Sequence, residues 1–185
     1  FPWIEMSVTA EQRLASPDEF AGDLSIRMGQ GPWKELDCTP LMDDALYPVV
    51  SHSLIERQPT TGAFDLTAKT LLHDRDPQAS WQTWQSRHGP DGLDLKRGPR
   101  FASSDLVLRA AAQGLGVALA RGRLAEGDIA AGTLVRPFGD LEIILPDAYW
   151  IVKPSDKPDR RAVELVTEWL KSQANQQISG ELGSI

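Results

Sequence analysis

The stretch that decides the fold is residues 101–120, which read FASSDLVLRAAAQGLGVALA. It opens with Ser-Ser-Asp at 103–105, three residues of the types that cap helix N-termini by accepting a hydrogen bond from a free backbone N–H. Gly114 stands where a left-handed residue ends a helix, and residues 116–120 are short and apolar, as in a buried strand. The stretch therefore predicts a helix, a tight turn and a strand, in that order.

Ser103 and Ser104 have two interpretations at this helix start. The free N–H groups and the positive end of the helix dipole form a receptor for an anionic or hydrogen-bonding small molecule, to which two hydroxyls would add. Plain capping needs only one hydroxyl and no ligand. The residues alone leave both interpretations open.

Around this stretch the chain alternates between strand and helix patterns. Strands are expected at residues 4–9, 23–27, 46–51, 68–73 and 148–152, with helices around Trp81 and Trp84, from Arg121 to Ala130 and from about Asp159 to Gln173. The two tryptophans lie three residues apart on one helical face, a spacing more typical of core packing than of a binding site. The alternation predicts an α/β fold with largely parallel strand pairing.

The chain is expected to form two lobes with a cleft between them. Proline cannot donate to a β-ladder, so Pro48 indicates an edge strand or a crossing between lobes, which makes the segment near Ser51 a hinge candidate. A second crossing is expected near residues 146–149. We therefore assign residues 1–47 and 147–185 to lobe I and residues 48–146 to lobe II.

Composition excludes several classes of protein. The chain has 185 residues, of which 41% are hydrophobic and 24% charged, an ordinary balance for a globular protein. No apolar run approaches the roughly 18 residues that a membrane span needs. A single cysteine, Cys38, has no partner for an intrachain disulfide, and the three histidines show no metal-ligand spacing. We therefore expect a cytoplasmic protein with no cofactor, no metal and no membrane contact.

No catalytic constellation stands out in the sequence. The pair Asp43-Asp44 is interpreted as a solvated turn, because neighbours on a turn seldom converge on one substrate atom. His73-Asp74, at the end of a strand, is a better polar candidate, and the alternative is a plain surface histidine. Residues 108–124 are not a helix-turn-helix, because Gly114 and the segment 116–119 favour a strand where a recognition helix would lie. We expect no enzyme.

Several stretches of the sequence together resemble the effector-binding domain of LysR-type transcriptional regulators. The clearest is residues 103–138, which read SSDLVLRAAAQGLGVALARGRLAEGDIAAGTLVRPF. Others agree in order: DLSIRMGQGPW at 23–33, LMDDALYPVVSHSL at 41–54, TLLHDRDPQASWQTW at 70–84, and YWIVKP at 149–154 followed by EWL at 168–170. The resemblance covers nearly the whole chain up to about Ser172, and it is strongest to the subgroup of glycine-cleavage and AmpC β-lactamase activators.

The resemblance implies a fold like that of the type 2 periplasmic binding proteins, with two Rossmann-like lobes, two hinge strands and a small-molecule effector held between the lobes. It implies a bacterial ligand-sensing and oligomerising domain that forms homodimers, and tetramers in the full-length protein, with DNA bound only through an N-terminal winged helix-turn-helix domain. The residues that it implies as effector contacts are Arg27, Ser51, His73, Ser103, Ser104 and Tyr149.

Two departures from the family pattern matter. The family's first strand and first helix have no counterpart here, nor has its DNA-binding domain, so we expect an N-terminally truncated lobe I. The family's Ser-Pro after the hinge strand is replaced by Ser51-His52-Ser53.

Two alternative functional classes remain. The first is a solute-binding protein of the same fold, and the lack of a visible export signal counts against it. The second is an enzyme built on a similar fold.

We expect this chain not to bind duplex DNA by itself. Its net charge is -7 at pH 7, whereas affinity for DNA depends mainly on neutralising phosphates with basic side chains. An electrophoretic mobility-shift titration of the isolated chain with a duplex, repeated at about 50 and about 200 mM salt, checks this. Tight binding that weakens with salt would contradict the prediction.

Overall fold

The structure is a computed structural model that describes residues 1–10, 22–56, 63–156, 158 and 160–182. Seven strands and five helices lie in the described ranges. The strands are β1 Ser25–Met28, β2 Leu36–Ser51, β3 Leu71–Asp74, β4 Arg100–Phe101, β5 Val117–Arg121, β6 Leu134–Val135 and β7 Ile143–Pro154. The helices are α1 His52–Glu56, α2 Trp81–His88, α3 Ser104–Ala112, α4 Gly122–Ala130 and α5 Arg161–Leu182.

The chain divides into two compact units. Unit 1 consists of residues 1–43 and 146–185, and unit 2 of residues 44–145. The chain passes from one unit to the other inside β2, between Asp43 and Asp44, and returns inside β7. The first passage lies four residues before the boundary expected from the sequence.

Pro48 does not mark this passage, because this proline lies within the ladder between β2 and β5, opposite Leu119. Alternate positions of an antiparallel ladder leave the N–H unused, and a proline fits there.

Unit 1 is built around the antiparallel pair of β1 and β7, with Ser25 opposite Val152 and Met28 opposite Tyr149. The strand expected at residues 4–9 is absent, and this prediction was wrong. Residues 4–10 have no regular secondary structure, and the side chains of Met6 and Val8 are exposed. An alternating pattern forms a strand only where a neighbouring strand supplies its hydrogen bonds and a core covers its apolar face.

Unit 2 contains a mixed sheet in the strand order β2-β5-β3-β4. β3 pairs parallel with both β4 and β5, whereas β2 runs antiparallel to β5 and to β6. The expectation of largely parallel pairing was therefore wrong for β2 and likewise for β7 with β1. These two strands carry the chain between the units, and β2 runs antiparallel to β5 and β6, as β7 does to β1.

The core of unit 2 lies on both faces of this sheet. Val49 and Val50 are fully buried but belong to different clusters, as expected for successive residues of a strand. Trp81 and Trp84 of α2 pack in the first cluster, and Val107 and other residues of α3 pack in the second. Trp81 also donates from Nε1 to the Leu72 carbonyl at 2.9 Å, which satisfies its only polar group. The interpretation of the two tryptophans as core residues is confirmed.

The stretch at residues 101–120 folds as predicted, into α3, a turn and β5. Gly114 has the positive φ of 76° that lets it end the helix, and its N–H donates to the Ala111 carbonyl at 2.9 Å. β5 follows at Val117 and is buried along its whole length. A strand therefore stands where a helix-turn-helix would need its recognition helix, and the rejection of that motif is confirmed.

Two glycines of unit 2 make a matched test of this packing. A Cβ at Gly116 would lie 2.3 Å from the Thr70 carbonyl oxygen, whereas a Cβ at Gly127, on the outside of α4, would meet nothing within 4 Å. We expect Gly116→Ala to lower the free energy of unfolding by about 1–3 kcal/mol and Gly127→Ala to raise it by up to about 1 kcal/mol. Urea unfolding followed by circular dichroism measures both, and equal effects would contradict the register of β3 and β5.

Candidate functional site

The parallel strands of unit 2 end together at one edge of the sheet. Because β3, β4 and β5 point the same way, their last residues, Asp74, Phe101 and Arg121, lie at the same edge. We call these ends, with the first residues that follow each strand, the carboxyl edge. Ligands of open α/β sheets bind outside this edge, where helix N-termini and loops follow the strands. The carboxyl edge is therefore the candidate binding region of unit 2.

Ser103 and Ser104 lie at the carboxyl edge, and the structure separates their roles. Ser103 is the N-cap of α3, with extended backbone, and its Oγ accepts from the Leu106 N–H at 3.5 Å. Ser104 is the first residue of α3 and is half-buried. Within the described part of the chain its hydroxyl makes no hydrogen bond. Capping therefore uses Ser103, and the hydroxyl of Ser104 is available to a ligand.

His73 lies in β3 next to the carboxyl edge, but its side chain is 7% exposed and is not a surface group. Its Nε2 donates to the Arg97 carbonyl at 2.8 Å, and its backbone N–H donates to the Pro99 carbonyl at 3.0 Å. A carbonyl only accepts, so the hydrogen of a neutral ring is on Nε2. Between these two contacts Gly98 has φ 113°, and a Cβ there would lie 2.0 Å from the Leu71 carbonyl oxygen. His73 thus fixes the segment that leads into β4 and on to α3.

A buried charged cluster at the carboxyl edge was missed in the sequence. The Arg121 side chain is 0% exposed, and its Nε donates to Asp76 Oδ2 and its Nη2 to Gln78 Oε1, each at 2.6 Å. Its Nη1 lies 3.7 Å from Asp44 Oδ2. Asp44 is therefore part of the interior, and the interpretation of Asp43-Asp44 as a solvated turn was wrong for it, although Asp43 is exposed. An arginine ending an otherwise apolar strand was the signal available in the sequence.

Ser51 lies away from the carboxyl edge. β2 runs antiparallel to β5, and Leu46 is opposite Arg121 whereas Val49 is opposite Ala118. Ser51, two residues further, is therefore at the edge where β5 begins. There it is 3% exposed, and its Oγ lies 3.2 Å from Ser53 Oγ. The hinge expected near Ser51 stays a prediction, and the chain passes from unit 1 to unit 2 between Asp43 and Asp44, from where β2 continues to Ser51.

Arg27 and Tyr149 belong to unit 1 and lie on neighbouring strands. Arg27 is opposite Trp150, and Tyr149 is opposite Met28, so the two side chains are on opposite faces of the β1–β7 pair. The Arg27 guanidinium lies 5.6 Å from the centroid of the Trp33 ring, whose own neighbour is the Trp150 ring at 6.2 Å. Of the six residues expected to contact an effector, the structure brings Ser103, Ser104 and His73 to one region of unit 2.

Within the described ranges, no cluster of three or more histidine, cysteine or acidic side chains could hold a metal ion. None of the described helices is long and apolar enough to cross a membrane.

Comparison with known proteins identifies the family. A family model described as the LysR substrate binding domain matches residues 2–175. The glycine cleavage system transcriptional activator of Escherichia coli is 32% identical over 177 residues, which are 94% of this chain and 57% of that protein. The transcriptional activator AmpR of Providencia stuartii is 29% identical over 170 residues, 92% of this chain and 56% of that protein. The chain thus spans little more than half the length of these relatives, which are transcriptional regulators and not enzymes.

A solved structure agrees with the sequence relatives. The effector domain of the regulator AmpR of Pseudomonas aeruginosa superposes with a TM-score of 0.82 at 25% identity, and the match covers 98% of this chain and 86% of that one. The chain therefore belongs to the LysR substrate binding domain family, and its fold is the type 2 periplasmic-binding-protein-like fold of the effector domains in that family.

Proposed function

We propose that this chain is the ligand-sensing domain of a bacterial LysR-type transcriptional regulator. A small-molecule effector binds at the carboxyl edge of unit 2 and changes how the full-length protein acts on DNA, which it contacts through another part of the protein. The family match and the regulators among its relatives support this function. The observation that supports the position of the site is the Ser104 hydroxyl on the first turn of α3, which makes no hydrogen bond among the residues that the structure describes.

The chemistry of this helix start favours an effector with a carboxylate or another hydrogen-bond acceptor. The first N–H groups of α3 and the positive end of its dipole attract such a group, and the Ser104 hydroxyl can donate to it. The one acidic residue of the first turn, Asp105, forms an ion pair with Arg109 at 3.1 Å on the exposed side of the helix. Its negative charge is thus partly balanced by a residue of the same helix.

The proposed function also implies a cellular location and the lack of an enzymatic activity. We place the protein in the cytoplasm, where a transcriptional regulator meets DNA, and we assign it no enzymatic reaction. The alternative of a transported-solute receptor on the same fold is less well supported, since the curated relatives are transcriptional regulators.

Ser103 and Ser104 provide a matched test of the site. A thermal-shift screen of this chain against the twenty amino acids, their dipeptides and common carboxylic acids identifies a compound that raises the melting temperature. We expect Ser104→Ala to weaken binding of that compound about tenfold or more while the melting temperature without ligand is unchanged, because the lost hydrogen bond is made to the ligand.

Ser103→Ala is the control, and we expect it to lower the free energy of unfolding by about 0.5–2 kcal/mol and to leave the ligand affinity of the folded chain unchanged. Titration calorimetry gives the affinities. Parent-like binding by the Ser104 variant would show that the effector does not use this helix start.

We also propose that the chain pairs with a second copy of itself. Unit 2 exposes Leu106 on α3 and Leu124 on α4, with exposed fractions of 47% and 45%. A two-fold contact formed by α3 and α4 would cover both leucines, and it should bury at least about 1,000 Å².

Sedimentation velocity over a range of concentrations tests the assembly. We expect dimers for the parent chain and monomers for Leu124→Glu, because a buried unpaired carboxylate is costly. Leu141→Glu, at a leucine that is 47% exposed outside α3 and α4, is the control and should remain dimeric. A monomeric parent at high concentration would contradict the proposal.

A further inference from the structure

One guanidinium joins three segments of unit 2. Arg121 is the last residue of β5 and the N-cap of α4, so its backbone fixes the start of that helix. Its side chain reaches Asp76 and Gln78 in the loop after β3, and Asp44 in β2. Its side chain is 0% exposed and is therefore shielded from water. Charge–charge interactions are stronger in the protein interior than in water.

The acidic partners are held in place by further hydrogen bonds. Asp44 Oδ1 accepts from the backbone N–H groups of Ala45 at 2.8 Å and of Arg123 at 3.0 Å. Asp76 Oδ1 accepts from the Gln78 N–H at 2.9 Å. A buried ion pair whose members are also hydrogen-bonded tolerates little movement, because each displaced partner leaves a charge without compensation. The loop after β3, strand β2 and the start of α4 are therefore held in fixed positions relative to one another.

α4 depends on this arrangement for its N-terminal turn. Its N-cap side chain makes no capping bond, and Asp44 supplies the missing acceptor from a different element by binding the Arg123 N–H. Tyr47 adds a second contact, since its hydroxyl donates to the Gly122 carbonyl at 3.4 Å. Burial raises the pKa of Tyr47 above its usual value of 10.0, which keeps this donor protonated. A Cβ at Gly122 would lie 3.1 Å from the Tyr47 ring and 3.3 Å from Asp44 Oδ1.

We propose that Arg121 is a positioning residue that couples the loop at residues 75–80 to α4. The loop follows β3 directly at the carboxyl edge, so an effector bound there acts on the loop, and the guanidinium passes the change to the start of α4. This inference rests on the proposed function for its biological meaning. The coupling itself is a property of the chain without ligand and can be measured separately.

Hydrogen–deuterium exchange of the unliganded chain, followed by mass spectrometry, tests the coupling. The hydrogen bonds of Asp76 go to Asp74, Gln78, Ala79 and Arg121, none of which lies within residues 122–130 of α4. We nevertheless expect Asp76→Asn to speed the exchange of the first turns of α4, residues 122–126, by about tenfold or more, because Arg121 loses its closest anion.

The matched control is Asp94→Asn. Asp94 also accepts backbone hydrogen bonds within a loop, from Lys96 and Arg97, but it is exposed and pairs with no buried cation in the described residues. We expect the exchange of α4 in this variant to equal that of the parent.

The reverse direction provides a second, independent measurement, because coupling between two sites is reciprocal. We expect Gly122→Ala, a change within α4, to speed exchange in residues 75–80. Arg121→Lys keeps the positive charge but loses the planar set of guanidinium donors. Exchange in this variant should therefore be faster than in the parent and slower than in Arg121→Met.

Exchange changes confined to the mutated segment would overturn the proposal. A uniform acceleration across α2, α3 and β5 would also overturn it, since that result describes a general loss of stability. Neither outcome depends on ligand, so failure here is distinct from failure of the effector site.

Discussion

Unit 2 depends on the parallel pairing of β3 with both β4 and β5. Parallel neighbours point their carboxyl ends the same way, so three short strands deliver their following segments to a single edge. Gly116 permits the approach of β5 to β3, because any side chain there would meet the Thr70 carbonyl, and the Val117 N–H then bonds that same carbonyl at 2.9 Å. The N-terminus of α3, the loop after β3 and the start of α4 are neighbours for this reason.

The two kinds of polar group at this edge serve different purposes. Arg121 contacts Asp76, Gln78 and Asp44 and so joins three segments of backbone. His73 does the same for the segment before β4 through its bond to the Arg97 carbonyl. Ser104 differs, because it is the first residue of α3 and its hydroxyl makes no hydrogen bond to any described residue. A binding site needs this combination, in which a supported frame presents a few free donors.

Local patterns were predicted well from the sequence, whereas long-range pairing was not. The order of helix, turn and strand at residues 101–120 follows from cap residues, a glycine and an apolar run, all of which act within a few residues. The pattern at residues 4–9 failed because a strand requires a partner that no local signal supplies. The role of Asp44 was missed for a similar reason, since its cation comes from residue 121 and its distance along the chain conceals the contact.

The sequence by itself determined the family, the α/β class and the position of Ser103 and Ser104 at a helix start, because these depend on motifs and on neighbours along the chain. Tertiary structure alone decided which candidate residues come together. The length and direction of β2 remove Ser51 from the edge that holds Ser104, and strand alternation puts Arg27 and Tyr149 on opposite faces. It also decided that Ser103 caps the helix, while the Ser104 hydroxyl bonds no residue in the described part of the chain. Two adjacent serines are equivalent as sequence, and only the backbone geometry of the helix start distinguishes them.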